Sequence, residues 1–334
     1  MMFFIRVDSS DIIGTGHIFR TLALAYKLKS LKHEVIYLCR NLPVPIKERI
    51  ENDGFRIISI PESQIFEAEI KFVVTAITTQ KPDWIIVDHC EVKESYYNIL
   101  RQTGIRILAI DDINHTVFPV DILLNQNIAA TKYRYQGLSQ TRQLLGPQYA
   151  LVDENYRCKR SQAKVRTSYQ KILISMGGSD QHNQTLKMLE AVEISRKVHR
   201  VDIVVGPIFN FTDEIQRFTT NTQLECCIHK NVPHLADLML GADLAIGTGG
   251  ITSWEMCTLY LPMIVVPVAD NQLDNAQGLA KIGAAVYPGP YHNVDCQKIA
   301  TILNSLSNAD ISRMSQKAGS LCDGCGIDRV ISYF

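Results

Sequence analysis

The stretch from Arg6 to Arg20, Arg-Val-Asp-Ser-Ser-Asp-Ile-Ile-Gly-Thr-Gly-His-Ile-Phe-Arg, sets a histidine inside a polar glycine loop. An imidazole in the first turn of a helix meets the positive end of the helix dipole. That favours its neutral form, so His17 could take a proton from water. Gly14 and Gly16 would let the backbone pass close to a ligand, with free N–H groups at the helix start facing an anion. The alternative for His17 is a surface or capping residue, and a strand-to-helix turn can need glycine for conformational reasons alone. In G-x-G-x-x-G register the third glycine position falls on Phe19. The dinucleotide fingerprint is therefore not met.

A second set of chemically capable residues lies in the other half. Gly177-Gly178-Ser179 and Gly247-Thr248-Gly249-Gly250 each follow an apolar run and precede a helix. Two sets of backbone N–H groups could converge on phosphate there. No Lys-Ser or Lys-Thr pair closes either loop, and the chain has no D-x-D. A diphosphate held by helix termini without a metal is the economical reading. Glu255, in the following helix, could accept hydrogen bonds from both hydroxyls of a ribose, or stand in solvent.

The elements that must position these groups alternate along the chain. Met1–Val7, Glu34–Cys39, Phe55–Ile60, Trp84–Asp88, Ile105–Ile110 and Ile122–Leu124 read as buried parallel strands. They deliver Asp88 and His89, Asp111 and Asp112, and Asn125 to one sheet edge, where open α/β sheets bind ligands. Each such carboxylate could equally cap a helix. Strands at Lys171–Met176, Arg200–Val205, Glu225–His229, Leu244–Ile246 and Met263–Val268 follow, the last leading to Asn271-Gln272. The polar, basic run from Arg157 to Gln170 reads as a linker. The expected division is residues 1–157, a linker at 158–170, and 171–334, with the last helix a candidate to pack back on the first domain.

Composition excludes more than it selects. The chain has 334 residues, 46% hydrophobic and 20% charged, with zero formal net charge. That suits about two globular domains and argues against a nucleic-acid binder, which is usually basic. No apolar run approaches the ~20 residues of a membrane span, and Met-Met-Phe-Phe-Ile is too short for a secretory core. Nine scattered cysteines suggest reduced, buried thiols of a cytoplasmic protein. Cys322-x-x-Cys325 has no second Cys/His pair at zinc-finger spacing, so no metal site is expected.

Taken together, several motifs resemble one family. They are Arg6-x-Asp8-x-Ser10-x-x-Ile13-Gly14-x-Gly16-His17-x-x-Arg20, Asp88-His89, Asp111-Asp112, Asp121-Ile-Leu-Leu-Asn125, Met176-Gly-Gly-Ser-Asp180, Asn271-Gln272 and Asp323-Gly-x-Gly326-x-x-Arg329-Val330. In this order, from about Phe3 to Val330, they resemble the UDP-sugar hydrolases of pseudaminic acid biosynthesis (PseG). That family is similar in turn to the peptidoglycan N-acetylglucosaminyltransferase MurG. The resemblance implies a GT-B fold: two Rossmann-like parallel-sheet domains facing across a cleft.

It also implies metal-independent hydrolysis of UDP-2,4-diacetamido-2,4,6-trideoxy-β-L-altropyranose to the free sugar and UDP, with no cofactor; water attacking C1 on one face while UDP departs from the other predicts inversion with C1–O cleavage. His17 would be the general base. Asp8, Gly14, Gly16, Arg20, His89, Asn271 and Gln272 would lie on the sugar side. Gly177, Gly178, Ser179, Gly249 and Gly250 would surround the diphosphate, Glu255 would hold the ribose, and the His229 backbone would meet the uracil edge. Cys90 departs from the tyrosine the family often has there. The rival readings are a GT-B glycosyltransferase with a UDP-sugar donor, a hydrolase of a related UDP-diacetamido sugar, and a noncatalytic nucleotide-sugar binder. A lipid acceptor would call for a basic, apolar membrane-facing patch, which the first half lacks. A mere binder would not need His17 among Asp8, Ser9, Ser10 and Asp11.

Overall fold

In the strand Met2–Val7 every second side chain faces the same way. Phe3, Ile5 and Val7 enter one apolar cluster and Phe4 another on the opposite face. A strand buried on both faces belongs inside a parallel sheet covered by helices, and the computed structural model, which describes residues 1–10, 13–61, 66–232 and 234–334, shows two such sheets. Asp11, one of the polar neighbours of His17, lies outside the described residues.

The first sheet comprises β1 (Met2–Val7), β2 (Glu34–Cys39), β3 (Arg56–Ser59), β4 (Trp84–Asp88), β5 (Arg106–Ile110), β6 (Ile122–Asn125) and β7 (Arg142–Leu145). Their order is β3-β2-β1-β4-β5-β6-β7. The second comprises β8 (Lys171–Ser175), β9 (Arg200–Val205), β10 (Glu225–Lys230), β11 (Leu244–Gly247), β12 (Met263–Val265) and β13 (Ala285–Val286), in the order β10-β9-β8-β11-β12-β13. Every pairing in both sheets is parallel. In each sheet the direction of winding reverses beside the first strand, between β1 and β4 and between β8 and β11. Such a switch point opens a crevice at the carboxyl ends of the two strands.

The chain forms two units, Met1–Leu151 with Ile327–Phe334, and Val152–Gly326. The terminal helix Gly326–Ile331 places Ile327 and Val330 in the core of the first unit. Phe334 lies 5.0 Å from Phe3 and 4.9 Å from Trp84, ring centre to ring centre. The last residues thus belong with the first sheet although the chain between them builds the second.

The polar segment 158–170 is no free linker, because it lies within the second unit. Arg160 donates to the carbonyls of Thr258, Cys322 and Gly319 at 2.6, 3.0 and 2.7 Å. Arg166, 8% exposed, donates to the carbonyls of Leu259, Met239 and Ala242 at 2.6, 2.8 and 3.2 Å. Met239 lies in the last turn of helix Ala236–Gly241, where carbonyls have no partner within the helix. Replacing Arg166 by methionine keeps much of the volume but leaves these buried acceptors unpaired. Urea unfolding is expected to show a loss of about 2–4 kcal/mol; a loss indistinguishable from zero would mean that water replaces the guanidinium.

The cysteines differ from the expectation of buried thiols. All nine are free, but only Cys39, Cys257 and Cys322 are buried, whereas Cys90, Cys158 and Cys227 are exposed. Among the described residues no helix is long and apolar enough to cross a membrane.

Candidate active site

Strand alternation sorts the polar residues at the carboxyl edge of the first sheet. Asp88 is paired with Val7 and with Ile110, both in the cluster that also takes Ile18, Leu22 and Leu28 of helix Gly16–Ser30. Its carboxylate therefore faces that helix. His17 and Arg20, three residues apart, share one helical face and both reach it. His17 Nδ1 is 2.7 Å from Asp88 Oδ1, and Arg20 donates from Nε to Oδ2 and from Nη2 to Oδ1 at 2.7 and 2.6 Å. Arg20 also bridges to both oxygens of Asp112 at 2.9 and 3.0 Å. Asp112 is fixed in turn by Asn127 Nδ2 at 3.0 Å.

The next residue of each strand end points to the opposite face. Asp8 accepts from Arg6 Nη2 at 2.8 Å and from the Arg40 and Asn41 amides at 2.7 and 3.2 Å. Arg6, wholly buried, also donates to Glu69 at 2.9 Å. His89 follows Asp88 and meets Asp8, Nε2 to Oδ2 at 3.2 Å, while its Nδ1 accepts the Glu91 amide at 3.2 Å. On the same face Asp111 accepts from Tyr135 Oη and Asn125 Nδ2 at 2.6 and 3.2 Å and from the Asn114 amide at 2.8 Å.

These networks set the charges. Burial opposes ionisation of Asp88, but Arg20 and His17 outweigh it and hold the carboxyl well below the usual range. For Asp8, burial is likewise outweighed, by His89 and Arg6. Burial also opposes the charge of Arg20, and Asp112 and Asp88 keep it protonated. His17 Nδ1 lies 2.7 Å from ionised Asp88 and 3.0 Å from Arg20 Nη2; the carboxylate is the closer partner, so Nδ1 is assigned as the donor to it, which puts the ring's lone pair on Nε2.

His17 and His89 then part ways. Both nitrogens of His89 are engaged, whereas among the described residues no group meets Nε2 of His17. His17 lines a small pocket with Asp8, Ile13, Asp88, His89 and Cys90. Gly14 has φ +77°, a backbone region that favours glycine. Its carbonyl accepts from Ser9 Oγ at 2.8 Å. A Cβ added at Gly14 or Gly16 would meet no described atom within 4 Å, so Gly16 is not required by protein crowding.

In the second unit, Ser175 and Gly247 are register partners on β8 and β11, so the two glycine loops leave from adjacent strand ends. Gly177 has φ +95°. Asp180 closes the first loop onto helix Gln184–Ser195, accepting the Gln184 and Thr185 amides at 2.8 Å each. Gly178 and half-buried Ser179 lie between. A Cβ on Gly206 would come within 2.3 Å of the Gly178 carbonyl oxygen, so the end of β9 is tied to this loop. A Cβ on Gly249 would come within 2.7 Å of the Gln272 carbonyl oxygen. Asn275 Nδ2 donates to Gly249 at 2.7 Å, and Gln272 Oε1 accepts the Val268 amide at 3.0 Å. Gly249, Gly250 and Gln272 are thereby brought together, with Asn271 half-buried in the same short turn, Asp270–Gln272.

Glu255 is half-buried in helix Thr252–Thr258. Burial pushes its carboxyl up to about 8, against the Tyr156 hydroxyl that hydrogen-bonds it and with the help of nearby Asp153. His229, near the end of β10, sets Nε2 3.1 Å from Asp202 Oδ1. Cys322 is buried and Cys325 half-buried, after helix Asn308–Leu321.

The family resemblance implies that Asp8, Arg20 and His89 lie on the sugar side. The structure gives each of them close protein partners, and shows Asp88 and Asp112 as the acceptors that hold Arg20. It also shows Tyr156 beside Glu255 and Asn275 beside Gly249. The signal available for Asp88 was its parity with Val7 and the three-residue spacing of His17 and Arg20. Nothing local pointed to Tyr156.

The glycosyltransferase family 28 C-terminal domain matches residues 151–320, more than half of the 334 residues. The chain belongs to this family. The family 28 match supports an enzyme, and it falls almost entirely within the second unit. A UDP-2,4-diacetamido-2,4,6-trideoxy-β-L-altropyranose hydrolase of Campylobacter jejuni is 26% identical over 84% of this chain and 97% of its own. An uncharacterized protein of Methanocaldococcus jannaschii is 28% identical over 78% of this chain, but the match spans only 54% of that relative's length. Among solved structures, MurG of Acinetobacter baumannii covers 99% of this chain and 98% of its own, with a TM-score of 0.72 at 16% identity. At that identity the likeness shows the fold, which is GT-B.

Proposed function

We propose that this family 28 member hydrolyses a UDP-sugar, with UDP-2,4-diacetamido-2,4,6-trideoxy-β-L-altropyranose as the substrate and water as the acceptor. The observation that carries the reading is the pairing of His17 Nδ1 with ionised Asp88, which leaves Nε2 as the proton acceptor. Water attacks C1, its proton passes to Nε2, and the C1–O bond breaks with the electron pair leaving on UDP. Attack opposite the leaving group inverts the anomeric centre. The imidazolium that forms is stabilised by Asp88. Backbone N–H groups of the loops at Gly177-Gly178-Ser179 and Gly249-Gly250 take up the charge growing on the diphosphate without a metal. Glu255 accepts the ribose hydroxyls, and the His229 backbone meets uracil. Asp8, Arg20 and His89 act by fixing the pocket wall and His17. Gly14 and Gly16, with Asn271 and Gln272, border the sugar, and Cys90 stands where a tyrosine would narrow the pocket.

The experiment is proton NMR of the purified protein with this UDP-sugar in EDTA, with no acceptor. Early appearance of the inverted anomer with free UDP is the expected result. Binding without turnover would favour a transferase that needs its acceptor.

Glu255 supplies a pH test. Accepting two hydroxyls requires the carboxylate, and in the free protein the carboxyl titrates near 8. Binding below that pH must expel a proton. UDP affinity is therefore expected to rise with pH by up to about tenfold per unit, levelling off above about 8. Glu255→Gln, with no proton to lose, should weaken UDP about tenfold or more at pH 8.5 and flatten the profile. Calorimetry across this range decides, and an unchanged slope in the variant would remove Glu255 from the nucleotide site.

A further inference from the structure

The second sheet also carries three side chains that are ligands of transition metals. Asp202 on β9 is paired directly with Cys227 on β10, and the strand period of two returns His229 to the same face. A carboxylate oxygen, a thiol sulfur and an imidazole nitrogen lie within 4.8 Å of one another. Among the described residues no other three His, Cys, Asp or Glu side chains meet so closely. The carboxylate is buried and the thiol exposed, so one ligand is fixed by packing and another is reachable from solvent. Lys171 Nζ lies 2.5 Å from Asp202 Oδ2, which anchors that oxygen and leaves Oδ1 to meet His229. Such an outer contact is the usual support of a ligating carboxylate.

We infer that Asp202 Oδ1, Cys227 Sγ and His229 Nε2 bind a divalent transition-metal ion, zinc by preference, with a fourth position left to water. Thiolate and imidazole together select zinc over magnesium or calcium. Binding replaces the thiol proton by the metal and releases it to solvent, with no change of oxidation state. The hydrogen bond between His229 and Asp202 gives way to two bonds to the ion. β10 is an edge strand, and the ion clamps it to β9. The proposed hydrolysis uses the His229 backbone but no metal, so EDTA should empty the site and leave turnover intact.

Cobalt(II) added to the whole protein, kept reduced with a phosphine, tests the assignment. One equivalent should give a thiolate-to-cobalt charge-transfer band in the near ultraviolet, bleached by zinc. Cys227→Ser should abolish the band, and His229→Ala should weaken zinc binding at least ~10-fold. Alkylation followed by peptide mass spectrometry needs no substitution. Zinc should slow iodoacetamide at Cys227 and spare the rates at exposed Cys90 and Cys158. A band that persists in Cys227→Ser, or no selective protection of Cys227, overturns the site.

Discussion

Replacing His17 by alanine is expected to slow UDP release from the UDP-sugar by roughly 10²–10⁴ while leaving UDP affinity unchanged, the usual span for loss of a general base. The split follows from the architecture. His17 stands on the first helix of the first unit, whereas the loops proposed to hold UDP leave β8 and β11 of the second. His89 cannot take over, since its Nε2 faces Asp8 and its Nδ1 accepts the Glu91 amide. Single-turnover release of UDP, set beside calorimetric UDP binding, measures both quantities. A wild-type rate in His17→Ala would make His17 structural and leave the reaction without an identified base.

The second large effect is expected for Asp88→Asn, a fall in kcat on the order of 10²–10⁴. Asp88 accepts three hydrogen bonds, one from His17 and two from Arg20. An amide offers only one oxygen. If that oxygen keeps Arg20, the amide N–H₂ faces Nδ1 and drives the imidazole proton to Nε2, the wrong nitrogen for a base. If it keeps His17, Arg20 meets a donor instead of an acceptor. The variant also loses the charge that would stabilise the imidazolium. Nitrogen-15 shifts of the His17 ring report the tautomer directly. A normal kcat with an unchanged tautomer would show that Asp88 serves only to bury Arg20.

Much of the fold was legible before any tertiary information. β2, β4 and β9 agree to the residue with the strands read at Glu34–Cys39, Trp84–Asp88 and Arg200–Val205, because strands buried on both faces read as largely apolar runs, interrupted in β9 by Asp202. β7, Arg-Gln-Leu-Leu, carries no such run and went unread. Its extended form comes from pairing with β6. Residues 158–170, which read as a linker, lie within the second unit for a related reason. Their polarity is real, but Arg160 and Arg166 direct it inward, to carbonyls far along the chain.

The candidate site divides along the same line. The glycine loops, His17 and the polar strand ends are local features, visible in residue type and spacing. Strand period even sets which face Asp8, Asp88, His89 and Asp112 take, since each ends or follows an apolar strand whose parity is legible. The choice of partner is not local. Asp88 meets His17 across 71 residues of sequence and Arg20 across 68, and it does so because β4 crosses over to lie beside β1. That adjacency is set by packing of the whole sheet, and it decides which of the two pocket histidines meets Asp88.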